Sequence, residues 1–528
     1  MKTLLTILIY ILSGTLHAQS DKISNNEIRR IIELKQYNID GELMFCKKTL
    51  PEFYFDRAFK PAWTNDDNIS ELIEQIKLAE NEGLNTSDYH YEYLKTNYTG
   101  MHSLTPEMDI LLTDAYLLFA SHLIAGKVDP VTLNAEWRAT RKETNLKKLL
   151  AEALDNIEIA RSLNSLKPTY KTYVRLKSAL KSYRKIKSNG GWPRIPEGES
   201  IKPKATDPRI PLIRKRLAVT GLLAHEPVAD SLVYDAELES AVKVFQKKNG
   251  LEADGVIGKG TFNVMNETVD KRIQQIILNM ERCRWLPLDM GAHYILVNIA
   301  NYELEVVKNN ELQLEMDVVV GKPYRKTPVF SQKMLYIVFN PYWTIPPTIL
   351  HNDIIPAVRN NLNYLRKNNI KVIKGNTEID PSSINWAEAK PGNFPYQLRQ
   401  DPGLDNALGV VKFMFPNPYN VYMHDTNHRE LFSKTDRALS SGCIRLSRPI
   451  DLAVYLLKDH PAEWTEERIN KVIGKDKNYT VMLAEEVDVH ILYWTAFVDE
   501  NGSINFRKDI YDRDEVLWRA LQKSPPSI

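Results

Sequence analysis

Cysteine is scarce in this chain, which has only Cys46, Cys283 and Cys443 among its 528 residues. A scaffold of this length held by disulfides would need many more, so disulfides are not what stabilises the fold. An odd number leaves at least one thiol unpaired. Cys46 and Cys283 are interpreted as small core residues, although a bridge between the two stays open.

Net charge and long apolar runs are also nearly absent. The 69 basic and 67 acidic residues leave a formal charge of +2, which gives nucleic-acid binding no electrostatic support. Beyond the amino terminus, no segment is apolar enough to be predicted to span a bilayer. The Gly-x-Ser-x-Gly elbow of many serine hydrolases is missing from the sequence too.

The first residues have the pattern of a secretory signal. One lysine precedes an apolar run from Leu4 to Leu12, and Leu16-His17-Ala18 predicts cleavage after residue 18. Residue 19 is glutamine, so a lipoprotein anchor is not predicted. We therefore expect an exported protein of the periplasm or cell envelope, which an uncleaved signal would anchor in the membrane.

The stretch 421–449 contains the candidate chemistry, with His424 at the end of an apolar, strand-like run and Cys443 after two serines and a glycine. A thiol becomes a strong nucleophile when a nearby imidazole takes its proton. The small residues before Cys443 let a substrate carbonyl approach the backbone amides, as an oxyanion hole requires. Spacing alone leaves a buried cysteine and an ordinary histidine equally open, because such pairs form in space.

Two motifs here resemble those of a known family. His-Asp-Thr at 424–426, followed by Ser-Ser-Gly-Cys-Ile-Arg at 440–445, resembles the signature of the L,D-transpeptidase (YkuD-type) catalytic domain. Asn-Pro-Tyr-Trp-Thr-Ile-Pro-Pro at 340–347 is similar to a second signature, found in the multidomain YcbB-like branch. The resemblance implies a mainly-β, β-sandwich catalytic domain over 269–528. It also implies a helical capping insertion over 348–397 that covers the site, for which a plain surface excursion is the alternative.

The family chemistry implies that Cys443 attacks the carbonyl of the diamino acid at position three of a tetrapeptide stem and displaces the terminal D-Ala. An amine of a neighbouring stem then resolves the thioester and forms a 3→3 cross-link. His424 would deprotonate Cys443 and later the amine. The partners implied are peptidoglycan stem peptides, with no cofactor and no metal, and carbapenems are expected to acylate Cys443.

The remaining site residues follow from the same resemblance. The amides of Gly442 and Cys443 would hold the oxyanion, with help from Tyr422. Ser441 stands where many members have histidine, and Arg445 stands where others have asparagine. Arg445 would bind a stem carboxylate or form a structural salt bridge, and both interpretations stay open.

The rest of the chain predicts a multidomain protein. Apolar residues at helical spacing predict a helical domain over 19–190, including a helix from Thr105 to Gly126. Its segments 53–55 and 61–63 resemble the scaffold domain of the YcbB-like branch. A stretch rich in glycine, proline and lysine, 191–206, predicts a linker. After 293, alternating runs predict strands over 294–299, 304–307 and 312–320 and a hairpin around 499–502.

The segment 207–268 resembles the peptidoglycan-binding module, a three-helix bundle. Phe245-Gln246, Gly250-Leu251, Asp254-Gly255, Gly258 and Thr261 carry this resemblance. The glycines suit turns with positive φ, and the polar residues suit helix and turn capping. Such bundles also serve as spacers, so wall binding and spacing are both open.

Two other classes of function are weighed. His424 and His428 lie four residues apart, which on a helix would suit zinc in a wall peptidase, but the run before His424 is strand-like and no third ligand is evident. A non-catalytic peptidoglycan-binding envelope protein is the other alternative, and the presence of both Cys443 and His424 argues against it. The acceptor stays open, because cross-linking, amine exchange, hydrolysis and protein attachment share one acyl-enzyme.

Overall fold

The structure, a computed structural model, describes residues 25–133, 144–224, 232–287 and 290–528. The predicted signal at 1–18 lies outside the described residues. The predicted multidomain architecture is confirmed: a helical region precedes a small helical bundle and a large domain built on a mixed β-sheet.

The N-terminal region has eight helices and one two-stranded hairpin within its described part. They are α1 (25–33), β1 (Asn38–Ile39), β2 (Glu42–Leu43), α2 (Thr49–Asp56), α3 (Asp66–Lys77), α4 (Tyr91–Asn97), α5 (Pro106–Ala125), α6 (Leu146–Asn156), α7 (Ile159–Ser165) and α8 (Lys171–Ser188).

Helix α5 is the centre of this region. The Thr105 hydroxyl caps it by accepting from the Met108 amide, and Gly126 ends it with φ +83°, as predicted. Contrary to the expectation from the sequence, this helix is long and apolar enough to cross a membrane, alone among the described helices. Every side chain from Met108 to Ala125 is nevertheless buried by neighbouring elements, so a position in the core accounts for its apolar composition.

A buried carboxylate joins α5 to the segments that resemble the scaffold domain. The Asp109 side chain accepts from the amides of Ala62 and Trp63 at 2.9 Å and from the Tyr54 hydroxyl at 2.5 Å. Burial raises the pKa of Asp109, and these hydrogen bonds oppose the rise. The three bonds fix the entry of the chain into α3.

The predicted three-helix bundle is confirmed, with helices α9 (Ile210–Val219), α10 (Ala236–Lys248) and α11 (Lys259–Met265). The buried Gln246 side chain donates to Asp254, Val256 and Thr261 and accepts from the Gly255 amide at 2.9 Å. The motif therefore holds the loop between α10 and α11 and has a structural role.

Part of the segment predicted as a linker packs on this bundle. Ile195 and Ile201 are 0% and 2% exposed and belong to the core of the bundle. These two apolar side chains hold on the bundle a stretch whose other residues are mostly exposed.

The C-terminal domain begins with α12 (Val269–Arg284), which packs against α8. Its strands are β3 (His293–Asn298), β4 (Glu303–Lys308), β5 (Glu311–Gly321), β6 (Phe330–Phe339), β7 (Trp343–Thr344), β8 (Ile370–Lys374), β9 (Thr377–Ile379), β10 (Gln397–Gln400), β11 (Val411–Met414), β12 (Met423–His424), β13 (Ala438–Ser440), β14 (Ile444–Leu446), β15 (Tyr479–Leu492), β16 (Ala496–Val498) and β17 (Ile504–Phe506). Its later helices are α13 (Pro347–Ile349), α14 (Ile355–Asn360), α15 (Asn363–Lys367), α16 (Pro449–Leu457), α17 (Glu466–Ile473) and α18 (Arg513–Leu521).

Nine of these strands form one sheet in the order β13-β5-β14-β12-β11-β6-β15-β3-β4. On one edge of β5 the amides of Val318 and Val320 donate to the carbonyls of Tyr302 and Arg437, while the other edge pairs with β14. Because β5 also pairs with β4, the sheet closes on itself around an apolar core. The predicted strands β3, β4 and β5 and the hairpin β16–β17 are confirmed.

The insertion 348–397 contains the predicted helices and also a sheet that was not predicted. A π-helical turn, Leu350–Ile354, joins α13 to α14. Strands β7, β10, β8 and β9 pair in that order as a separate four-stranded sheet. This subdomain has its own apolar core, which includes Ile355, Val372 and Leu398.

We predict that Asp109→Ala lowers the free energy of unfolding by about 3 kcal/mol, because it leaves the buried amides of Ala62 and Trp63 without their acceptor. Denaturant unfolding followed by circular dichroism measures the change. Glu107→Ala, on the same helix but only partly buried, is the control and should cost less than about 0.5 kcal/mol. Equal effects for the two variants would contradict this role of Asp109.

Candidate active site

Strand pairing brings the predicted catalytic residues onto one face of the sheet. Strand β12 lies between β11 and β14, with His424 opposite Lys412 on one side and Arg445 on the other. Met423 and Ile444 face the core and are fully buried. Because side chains alternate along strands, the residues on either side of Met423 and Ile444 face the opposite side. His424 and Arg445 follow these two core residues, and Tyr422 and Cys443 precede them, so all four share that face.

His424 is buried and held in one tautomer. Its Nδ1–H donates to the carbonyl of Asp425 at 2.5 Å, which leaves Nε2 without a proton in the neutral ring. Burial lowers the pKa of His424 to about 3, and the positive charges of Arg445 and Lys412 add to the effect. The imidazole is therefore neutral near pH 7, and the same low pKa makes it a weak base and its conjugate acid a strong one.

The Asp425 carboxylate faces away from His424. It accepts from the Val410 amide at 3.0 Å and from Arg429 at 2.6 Å. Gly409, with φ +60°, packs so closely that a Cβ there would lie 2.2 Å from Asp425 Oδ2. The backbone carbonyl of Asp425 orients the imidazole, and its carboxylate fixes the backbone.

Cys443 follows Gly442, whose φ of +115° favours glycine at this position. The Ser440 hydroxyl donates to the Cys443 carbonyl at 2.6 Å and accepts from the Gly442 amide at 3.1 Å. The Gly442 amide, predicted as an oxyanion donor, thus has a partner in this structure. Burial raises the pKa of the Cys443 thiol, while Tyr422, Lys412 and Arg445 oppose the rise.

Ser441, by contrast, is exposed and touches the insertion through an arginine. The Ser441 hydroxyl accepts from Arg325 at 3.0 Å. The same guanidinium forms an ion pair with Asp353, in the π-helical turn of the insertion, including a bond of 2.8 Å. The insertion is thereby tied to the loop that carries Cys443.

Arg445 is half-buried and lacks the salt bridge that was one of its two interpretations. Among the residues that the structure describes, no carboxylate forms an ion pair with it, and its Nε has no hydrogen-bond partner. Its Nη1 lies 3.5 Å from the Thr426 hydroxyl, at the limit of a hydrogen bond. Burial lowers the pKa of Arg445, and the charges of Cys443 and Glu430 oppose the decrease without a direct ion pair.

The zinc alternative loses its geometric basis. His424 lies on a strand, whereas His428 is exposed in the following loop, with its Nδ1 3.1 Å from Glu430. Within the described ranges, no three potential ligands are grouped as a metal site requires. The two histidines do not share a helix face.

The bridge left open between Cys46 and Cys283 does not form, since all three cysteines are free thiols.

Four residues of the site were not predicted from the sequence: Lys412, Arg325, Ser440 and Thr327. Lys412 is placed by strand register. Thr327 donates through its hydroxyl to the Gly442 carbonyl at 2.9 Å, a contact between segments far apart in the sequence.

Comparison with known families matches three segments of the chain. Residues 292–463 match the L,D-transpeptidase catalytic domain (YkuD) family, residues 206–265 match the family described as "Putative peptidoglycan binding domain", and residues 48–180 match a scaffold domain family.

Among curated proteins, one from Haemophilus influenzae named "Putative L,D-transpeptidase" is 37% identical over 258 residues. The match covers 47% of this chain and 51% of that protein, so the chain spans about half the length of this relative.

Solved structures similar to this chain include an L,D-transpeptidase of Xylanimonas cellulosilytica, 12% identical, covering 56% of this chain and 98% of that one, with a TM-score of 0.19. The L,D-transpeptidase LdtMt1 in complex with imipenem is 16% identical, covering 38% and 59%, with a TM-score of 0.17. Overlaps this low carry no argument about the chain.

We predict that the rate of Cys443 alkylation by iodoacetamide rises about tenfold per pH unit from about pH 6 to 9, because His424 stays neutral and the thiolate fraction alone changes. Mass spectrometry of the protein measures the rate. Cys443→Ala is the control, since Cys46 and Cys283 are 1% and 0% exposed. A plateau with a midpoint near pH 6.5 would show instead a charged imidazole paired with a thiolate.

We also predict that Gly409→Ala lowers the melting temperature and changes the alkylation rate of Cys443, because the added methyl displaces Asp425 and with it the support of His424. Gly375→Ala is a matched control: its φ of +59° equals that of Gly409, but nothing lies within 4 Å of its Cβ position. The backbone strain is thus shared, and only the contact differs. Identical effects of the two substitutions would overturn the argument.

Proposed function

We propose that the protein is a cysteine-dependent peptidoglycan L,D-transpeptidase. The proposal starts from the match of residues 292–463 to the L,D-transpeptidase catalytic domain (YkuD) family, in a chain that also matches the scaffold and peptidoglycan-binding domain families. The observation that carries the proposal is the shared face of Cys443 and His424, with His424 neutral and oriented by the Asp425 carbonyl. That arrangement supplies a nucleophile and a base at neutral pH.

In the first step, His424 Nε2 takes the Cys443 proton and the sulfur attacks the carbonyl of the third residue, a diamino acid, of a tetrapeptide stem. A C–S bond forms and the bond to the terminal D-Ala breaks. The imidazolium then gives its proton to the leaving amine. Because the pKa of His424 is low, the imidazolium is a strong acid for that transfer.

In the second step, the amine of a neighbouring stem attacks the thioester and forms the 3→3 cross-link. His424 takes the proton of the amine and returns it to the sulfur as the C–S bond breaks. The acceptor must therefore reach the face of the sheet on which His424 lies.

The oxyanion of each tetrahedral intermediate needs donors at the loop 440–443. The Cys443 amide and the Tyr422 hydroxyl are the candidates, and Tyr422 interacts with the thiol. The Gly442 amide would join them once it leaves the Ser440 hydroxyl. Loss of one such donor typically costs about 10²-fold to 10³-fold in rate.

Two cations give the site its charge. Lys412 lies over the Tyr422 ring at 3.7 Å, and Arg445 flanks His424 on the other strand. Both oppose the rise in the pKa of Cys443, so they stabilise the thiolate. Arg445 would also bind a carboxylate of the stem, since its Nε has no hydrogen-bond partner among the described residues.

The accompanying domains support a place in the cell envelope, where peptidoglycan lies. The peptidoglycan-binding domain at 206–265 would hold the protein on the wall. The insertion 348–397, tied to Ser441 through Arg325, would serve as the cap that excludes water from the thioester. The signal at 1–18 would direct export.

The test incubates purified protein with disaccharide-tetrapeptides and separately with a carbapenem. We expect the wild type to form 3→3 dimers and one adduct on Cys443. Cys443→Ala should form neither product, and His424→Ala should form both at a rate at least about 10²-fold lower. Chromatography with mass spectrometry identifies both products.

Arg445→Gln should raise KM for the stem more than it lowers kcat, and Arg445→Lys should restore part of the loss.

Adduct formation without dimers would identify another acceptor, such as water or a free amine. Neither adduct nor product in the wild type, with retained wall binding, would indicate the non-catalytic alternative.

A further inference from the structure

A cavity lies away from Cys443, where three parts of the molecule meet. It has a volume of about 730 Å³ and is lined by helices α8, α9, α10 and α12 and by the hairpin β16–β17. None of the catalytic residues lines it. Nothing in the proposed reaction uses this space.

The charge of this cavity is one-sided. Five basic residues line it, and no aspartate or glutamate is among its lining residues: Arg175, Lys185, Arg216, Lys248 and Arg272. The whole chain is balanced, with 69 basic and 67 acidic residues, so this bias is local. A concave surface of one sign concentrates ions of the other sign.

Arg216 is the most deeply buried of the five, at 2% exposed. Its Nε donates to the Met265 carbonyl at 2.9 Å, but its Nη1 is buried with no hydrogen-bond partner among the described residues. The guanidinium lies 3.8 Å from the centre of the Trp192 ring, which holds it flat against the wall. One edge of this buried guanidinium thus lacks a hydrogen-bond acceptor.

Arg272 adds a second buried cation, at 7% exposed. It donates to neutral oxygens of Gln275 and Asn249, both at 2.9 Å, and no carboxylate in the described part of the chain forms an ion pair with it. The pKa of Arg216 is lowered to about 10, mainly by burial, with the charge of Arg272 adding to the decrease and Tyr183 opposing it. Two like charges buried together are destabilising unless an anion joins them.

We propose that this cavity is an anion-binding site that takes a carboxylate of an acidic peptide between Arg216 and Arg272. The identity of the ligand rests on the proposed function: it would be a peptidoglycan stem peptide, bound apart from the stem that reacts at Cys443. Guanidinium groups bind carboxylates through paired hydrogen bonds, which suits the unpartnered edge of Arg216. The apolar lining from Leu222, Val498 and Ile504 would contact the peptide backbone and methyl groups.

The site would let the protein hold one stem while it acts on another. Its walls come from the scaffold, the peptidoglycan-binding bundle and the catalytic domain, so a bound peptide would join all three. Bridging of this kind raises the effective concentration of wall substrate at the catalytic face.

The test titrates full-length Cys443→Ala protein with the free tetrapeptide Ala-γ-Glu-diaminopimelyl-Ala by calorimetry. We expect two binding events, of which Arg216→Gln removes one or weakens it at least about tenfold, while Arg216→Lys weakens it less. Amidation of the peptide carboxylates should abolish the same event. A single event, unchanged by Arg216→Gln, would overturn the proposal.

A variant at the rim of the cavity tests the proposal independently, in case Arg216→Gln does not fold. Lys248→Gln should weaken the second event about threefold, whereas Lys247→Gln, its neighbour on α10 that does not line the cavity, should leave it unchanged. Equal effects of the two would contradict the assignment.

Inorganic phosphate is the second probe. If phosphate binds and the tetrapeptide does not, the anion site stands but the peptide assignment is wrong. Carbapenem acylation of the same variants with Cys443 restored separates the two proposals. Acylation with no second binding event overturns only this site, and binding without acylation overturns only the proposed function.

Discussion

The parallel pairing of β12 with β14 is the constraint on which the catalytic face depends. The two strands are only two and three residues long, so their own hydrogen bonds cannot set the register firmly. Burial of Met423 and Ile444 sets it, because a slip by one residue would turn His424 into the core and Met423 toward solvent. Cys443 acquires its partner because two apolar side chains, one on each strand, must be buried.

Residues far from the motif fix the loop that carries Cys443. The Tyr511 hydroxyl donates to the Gly321 carbonyl at 2.6 Å and accepts from the Thr327 amide at 3.1 Å. Thr327 in turn donates to Gly442. A buried tyrosine beyond the matched family segment 292–463 therefore orients the nucleophile loop. The catalytic geometry belongs to the whole C-terminal domain.

The sequence predicts the elements with regular patterns and misses those whose pattern is broken. Helix α5 and strands β3 to β5 follow from caps and alternation. The long strand β15 was not predicted, because Leu483–Glu486 interrupts the alternation where the register shifts between Met482 and Val487. The motif around His424 and Cys443 indicates the nucleophile and base. Lys412 and Arg325 enter the site only through strand order and loop contacts, which no local pattern encodes.

The use of buried arginines separates structural from binding roles in this molecule. Arg282 pairs with Asp514 at 2.6 Å and Arg284 with Glu281 at 2.7 Å, so their charges are compensated inside the protein. Arg216 and Arg272 lack such a partner among the described residues. Burial of an ion costs roughly several kcal/mol, whereas one contact with an aromatic ring returns only about 0.5 to 2 kcal/mol. A fold that pairs its structural arginines and leaves these two unpaired has a cost that a bound anion would offset. The same reasoning applies to Arg445 at the catalytic face, where a carboxylate of the substrate would supply the missing charge.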